Sequence, residues 1–244
     1  MSAPTPTDLT LDGKVAVLTG VSRPGQVGEV VARSLAERGA SVVLIDRTGV
    51  EAEARAAELR ARGLRANSAR ADLTDAAQLD AVVMTVTREF GAIDALVNIA
   101  GGFSMSGKVA DSDPAAWSKQ LGIGLTTAYL TTRAFLPLLR KRQGAIVFFA
   151  SAAALPGGKI AEMSAYAVSK AGVITLMRSV AQEERDTGVR SNALAPTAIR
   201  TAANLETMGT GPRYVEREEV ADAIYFLCFS EAARSITGQV IQLG

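Results

Sequence analysis

KVAVLTGVSRPGQVGEVVARSLAERGASVVLID, residues 14–46, sets the frame for the chain. KVAVL (14–18) is a short apolar run and TGVSRPGQVG (19–28) a glycine-rich turn. EVVARSLAERG (29–39) has apolar residues at helical spacing, and SVVLID (41–46) is a second apolar run. Two buried strands joined through a helix are parallel, because only a long crossover returns the chain to run the same way. Glycines in such a turn let backbone amides approach a pyrophosphate, which then sits at the helix N-terminus. Glycines also end strands for local reasons, so the turn needs its context. That context is Asp46, at the tip of the second strand, where an acid can bind ribose hydroxyls or serve only as a turn residue.

The same alternation continues outward. VEAEARAAELRARG (50–63) reads as a charged helix ending at Gly63, and 65–72 as a weaker strand. The next helix, 74–91, opens with a capping Thr and ends in Gly. IDALVNIAGG (93–102) is a strand running into a glycine turn, and 113–142 one long helical stretch. GAIVFFAS (144–151), VRSNALAP (189–196) and QVIQL (239–243) are further strands, and 164–184 and 216–229 further helices. The reading is one doubly wound α/β domain over 11–244, with a mostly parallel seven-stranded sheet flanked by helices on both faces. Residues 1–10 are expected to be a loose tail.

Composition narrows the chemistry. Of 244 residues, 48% are hydrophobic and 21% charged, a globular balance, and the net charge of +1 carries no footprint for nucleic acid or an anionic membrane. A single cysteine, Cys228, excludes an internal disulfide and a multi-cysteine metal site. With no histidine, Ser-His-Asp hydrolysis and His-ligated zinc are excluded, so acid/base work falls to Tyr, Lys, Asp or Glu. The N-terminus lacks the features of a secretory signal and no apolar run is long enough to span a bilayer, so a cytoplasmic protein is expected.

Tyr166 and Lys170 stand four apart in a helical segment, which puts phenol and ammonium on one face. A nearby cation lowers a tyrosine pKa from about 10 toward the range useful for general acid/base catalysis. Ser151, at a strand end, can hydrogen-bond the same substrate oxygen. Y-x-x-x-K alone also occurs by chance on many helices.

From residue 11 to 244 the chain resembles the short-chain dehydrogenase/reductase family, with its motifs in the family's order. These are TG…G…G (19–28), Asp72-Leu73, N-x-A-G (98–101), Ser151, Y-x-x-x-K and N-A-x-A-P with Thr201 following. The resemblance implies a Rossmann-type fold and an oxidoreductase passing hydride between a nicotinamide and a carbonyl or secondary alcohol. It assigns Ser151, Tyr166 and Lys170 to catalysis, the last two also to cofactor binding. Gly20, Ser22, Arg23, Val27 and Gly28 would line the pyrophosphate and adenosine side, Asp46 the ribose, and Asp72 and Leu73 the adenine. Asn98, Ala100 and Gly101 would hold the middle of the cofactor, and Pro196, Thr197, Ile199 and Thr201 the nicotinamide amide. Asp46 would repel a 2′-phosphate, which favours NAD; Arg23 and Arg47 could attract one, which leaves NADP possible.

Three departures from the family pattern stand out. The glycine loop is two residues longer, which makes Gly25 a poorer candidate than Gly20 or Gly28. Gly124 stands where the family carries an Asn whose carbonyl helps hold a water near the Lys, and Gly122 with Gly124 costs a helix about 2 kcal/mol relative to Ala. Close helix packing or function could each explain that glycine. Ser151 to Tyr166 is also two residues longer, the excess falling in PGGKIAEM. The rival reading is a catalytically weak or inactive NAD-binding protein used for sensing or scaffolding. Phe103, Met105, Leu155, Met163 and Leu205 suggest a small apolar substrate, under a small lid after Thr201. Leu125, Tyr129, Phe135, Leu136 and Leu139, with Val173, Leu176, Met177 and Val180, suggest surplus apolar helix surface and a homo-oligomer, a dimer or more often a tetramer.

Overall fold

A computed structural model describes residues 10–21 and 23–244; residues 1–9 of the tail expected over 1–10, and the candidate site residue Ser22, lie outside them. Seven strands form one sheet: β1 (Val15–Thr19), β2 (Ser41–Asp46), β3 (Ala66–Arg70), β4 (Ala95–Asn98), β5 (Ala145–Phe149), β6 (Arg190–Pro196) and, last in the chain, β9 (Val240–Leu243). Their order is β3-β2-β1-β4-β5-β6-β9 and every pair is parallel. The order turns around between β1 and β4, and such a switch point opens a crevice at the carboxyl ends of the strands.

Alternate residues of each strand serve opposite layers. Ala16 and Leu18 of β1 join one core with α1 (Val27–Glu37), α2 (Gly49–Ala61) and α8 (Arg217–Phe229). Val15 and Val17 join the other, with α3 (Ala76–Phe90), α5 (Thr127–Arg140) and α6 (Ser164–Glu183). Because both faces are covered, the central strands β1 and β5 are buried along their whole length, while the edge strand β3 (ANSAR) is polar and partly exposed. A small second sheet pairs β7 (Ala198–Ile199) with β8 (Tyr214–Val215), and α7 (Ala202–Met208) lies between them in the chain. The cap of α3 is Asp75 rather than Thr74, its carboxylate accepting from Ala77 N and Gln78 N.

The expected helix over 113–142 is broken. Asp113 caps α4 (Pro114–Leu121), where Pro114 at the first position gives up no needed N–H. Gly122–Thr126 then form a widened turn in which Thr127 N bonds to Gly122 O, and α5 follows. A Cβ at position 124 would lie 2.7 Å from Ser169 Oγ on α6, so close packing explains this glycine.

The apolar residues assigned to an interface divide. Phe135, Leu139, Val173, Met177 and Val180 are buried in the chain's own core. Leu125, Leu136 and Leu176 are partly buried against it, while Tyr129 is 48% exposed, as is Val168 at 46%, which the sequence reading did not single out. Apolar residues occur on several helix faces because α5 packs on both the sheet and α3, and α6 on both the sheet and α4 with the turn that follows it.

Candidate active site

The site is built at the carboxyl ends of β1, β4, β5 and β6. At the end of β1, Thr19 Oγ1 accepts from Ala100 N at 3.2 Å, which presses the turns after β1 and β4 together. Gly20 (φ +71°) is required there, because a Cβ would lie 2.7 Å from Ala100 Cα. Gly28 lets α1 pass behind the turn: its Cβ would sit 2.6 Å from Gly20 O. Val27 is buried and Arg23 exposed. Gln26, the cap residue of α1, makes no side-chain cap bond, so the helix start presents its amides to the turn.

Asp46 ends β2, and its Oδ1 accepts from Thr48 N at 3.2 Å. Arg47 is exposed and close enough to Asp72 to act on its charge. Asp72 accepts from Thr74 Oγ1 and N, which with Arg47 hold its carboxyl below the usual carboxylate range against a smaller opposing effect of burial. Leu73 is buried beside it in sequence.

Asn98 ends β4 almost fully buried; its Nδ2 donates to Thr132 Oγ1 at 3.0 Å, and its Oδ1 has no partner among the described residues. Gly101 lies against α6, since a Cβ there would be 3.4 Å from Lys170 Nζ. Lys170 is 5% exposed and its ammonium donates to Phe149 O at 2.7 Å, at the end of β5. Burial in these apolar surroundings pulls its pKa down to about 8. Tyr166, one turn earlier, is half-buried, and desolvation pushes its pKa up from the ordinary tyrosine value, with a hydrogen bond to Ser151 opposing. Ser151, two residues beyond β5, is buried and also accepts from Ala153 N at 3.2 Å.

The expected depression of the Tyr166 pKa by Lys170 is therefore not found. The ammonium lies 6.0 Å from the centre of the phenol ring and is held by a backbone carbonyl, so burial dominates both groups.

At the far side, Pro196 ends β6, and exposed Thr197 donates its N–H to Leu243 O at 3.0 Å. Ile199 is buried in β7. Thr201 is buried as well, and its hydroxyl caps α7 by accepting from Asn204 N at 3.2 Å.

Two supporting residues, Gln120 and Glu162, escaped the reading of the sequence. Gln120 on α4 is 2% exposed; its Nε2 donates to Gly102 O at 2.9 Å and its Oε1 accepts from Ser104 Oγ at 2.8 Å. It thereby fixes the loop carrying Phe103, whose ring meets Tyr166 edge-on at 5.0 Å. Glu162, in the left-handed region at φ 62°, accepts Ser106 N at 2.7 Å and ties the loops after β4 and β5 together. A polar residue on a helix of mixed polarity gives no signal of burial, so only the fold could reveal Gln120. Met105 is exposed near this loop, whereas Leu155 is partly buried against the core.

The residues fit a dinucleotide. Gly20 and Gly28 leave room only for backbone at the switch point, α1 starts there, an acid ends β2, and Asn98 offers a buried, unpartnered acceptor.

A model of the short chain dehydrogenase family matches residues 14–209. A 3-oxoacyl-(acyl-carrier-protein) reductase of Vibrio harveyi is 32% identical, the match covering 96% of this chain and 97% of that one. A galactitol 2-dehydrogenase of Rhizobium johnstonii is 35% identical, over 96% and 94%. A solved gluconate 5-dehydrogenase of Burkholderia cenocepacia, in complex with NADP and tartrate, superimposes with a TM-score of 0.88 at 26% identity, over 97% of this chain and 95% of that one. With this fold, these motifs and these relatives, the chain belongs to the short chain dehydrogenase family and is an NAD(P)-dependent oxidoreductase.

Proposed function

We propose that the chain interconverts a carbonyl and a secondary alcohol on a small, largely apolar substrate, using Ser151, Tyr166 and Lys170. The observation that carries this is the placement of Tyr166 between a Ser151 hydrogen bond and a helix turn bearing a buried ammonium. A bound nicotinamide supplies the hydride in reduction and accepts it in oxidation. Tyr166, protonated at neutral pH because its pKa is raised, donates its phenolic proton to the carbonyl oxygen as that oxygen gains charge. Ser151 orients the same oxygen. The Lys170 ammonium stabilises the phenolate left behind and, lying beside Gly101, would also hold the cofactor's ribose. In oxidation the same proton returns to Tyr166, so each turnover exchanges one hydride and one proton.

NAD is the proposed cofactor, on the strength of Asp46 at the end of β2; Arg47 facing Asp72 is less available to a 2′-phosphate. Exposed Phe103 and Met105 support an apolar substrate. A homo-oligomer, most often a tetramer in this reading, rests on the exposed apolar residues of α5 and α6. Among the described residues no helix is long and apolar enough to cross a membrane. A sensing or scaffolding role is disfavoured, because it gives no reason to bury an ammonium beside a serine and a tyrosine.

The test follows NADH and NADPH oxidation with a panel of ketones. Tyr166→Phe is expected to lose at least a hundredfold in turnover, the usual scale of proton-transfer catalysis. Full activity in that variant would remove Tyr166 from the chemistry. A wild type that turns over NADPH at least as well as NADH would reassign the ribose end to Arg23 and Arg47.

A further inference from the structure

The two extra residues of the glycine loop have a structural consequence outside the family pattern. Gly25, at φ +70°, donates its N–H to Glu29 Oε2 at 2.6 Å, while its carbonyl accepts from Ala202 N at 3.2 Å. Ala202 is the first residue of α7. A Cβ at Gly25 would stand 3.1 Å from Ala202 Cβ, so the two backbones meet with little room to spare. Glu29 in turn pairs with Arg55 of α2, Nη1 to Oε1 at 3.4 Å.

The topology gives that contact its meaning. α7 follows β6, which lies three strands from β1 in the sheet. At about 4.8 Å per strand, the chain after β6 crosses roughly 14 Å over the ends of β4 and β5 to reach the β1 loop. It therefore roofs the crevice at the switch point, where a dinucleotide's pyrophosphate belongs.

We propose that Glu29 is a positioning residue for the cofactor: held by Arg55, it sets the long glycine loop so that Gly25 latches the start of α7 over the cofactor cleft. The inference rests on the dinucleotide reading of that cleft. A bound cofactor leaves only when the Gly25–Ala202 contact opens, so Glu29 governs the rate of cofactor release without touching the reacting atoms.

Two variants test it. Glu29→Ala frees the loop. Ala202→Pro deletes the donated N–H and places a ring against Gly25 O, yet proline suits the first position of a helix, and Thr201 before it is already extended at φ −106°, ψ 159°. Stopped-flow displacement of NADH, and of NADPH, from the whole protein gives the dissociation rate. Both variants are expected to raise that rate and the cofactor KM about tenfold, one latch interaction's worth, and to leave the carbonyl KM in place. Amide exchange at Ala202 is expected to quicken in Glu29→Ala. Dissociation rates within twofold of wild type in both variants, or a lower Tm in Glu29→Ala with release unchanged, would overturn the latch. A wild type that binds neither NADH nor NADPH would overturn the cleft reading itself.

Discussion

Lys170 is an ammonium enclosed in protein, with one strong hydrogen bond to the Phe149 carbonyl. Its pKa of about 8 lets it lose its charge as the pH rises, while burial pushes the Tyr166 phenol the other way, above its ordinary value. In the proposed reaction the ammonium stabilises the phenolate that forms during reduction, so kcat/KM for a ketone is expected to be level near neutrality and to fall above pH 8. In Lys170→Met that limb should vanish along with most of the activity; a wild-type profile level through pH 9 would show that the charge is not used. The same group bears on stability. Below pH 8 it is charged in both folded and unfolded states and only the folded state bears the burial cost. Between about 8 and 10.5 the folded state releases the proton first, so this cost fades as the pH rises. Lys170→Met is therefore expected to raise Tm at pH 7, by up to about 3 kcal/mol of stability, and much less at pH 10. The spacing of Tyr166 and Lys170 was legible in the sequence because helix periodicity is local. The sign of the tyrosine shift was not, because it depends on burial and on a carbonyl from a strand distant in sequence.

At the scale of elements, the turn between α4 and α5 shows what a sequence pattern leaves open. The apolar spacing of 113–142 fits a helix throughout, and two glycines do not by themselves say where it widens. The reason lies on α6, where Ser169 Oγ donates to Tyr166 O at 2.8 Å and fills the space a side chain at 124 would need. Gly124→Ala is expected to destabilise the fold by about 1–3 kcal/mol through overpacking, despite the better helix propensity of alanine. Ser169→Ala should recover part of that loss, because the 2.7 Å contact goes while the neighbouring 3.1 Å one remains. Additive effects in a double-mutant denaturation cycle would refute the contact as the cause. A second tie joins the far ends of the same helices. Glu184, 1% exposed, accepts from Arg140 Nε at 2.8 Å and from Thr187 Oγ1 at 2.8 Å. Arg140 is the main cause of its lowered pKa, so the tie is complete above the unfolded glutamate pKa and is lost as pH falls through the folded one. Glu184→Gln should cost about 1–2 kcal/mol at pH 7, discounted for the half-exposed arginine, with the difference closing in acid. A constant difference from pH 7 to 3 in thermal melts would detach the effect from this carboxylate.

The whole molecule repeats the lesson at larger reach. Alternating strands and helices already specify a parallel sheet covered on both sides, and seven runs are enough to count its strands. Their order, and therefore the crevice between β1 and β4, needs the direction in which the crossovers wind, which no single segment records. Apolar helix faces are harder still, because a residue that meets the sheet and one that meets another subunit look the same in sequence. Phe135, Leu139 and Met177 went to the chain's own core for that reason. What remains outside is a smaller set, with Tyr129 and Val168 about half exposed and Leu125 packed over Gly172 beside them on the α5–α6 side. A soluble chain rarely leaves such residues grouped without a use, and a two-fold contact buries both copies at once. Light scattering at micromolar concentration is expected to give a multiple of 25.4 kDa, most often fourfold. Tyr129→Glu combined with Val168→Glu should shift it toward one chain, since each pairing would then bury unpaired charge. A fully active wild-type species of 25.4 kDa would leave the exposed face of α5 and α6 without a partner subunit and would end this reading.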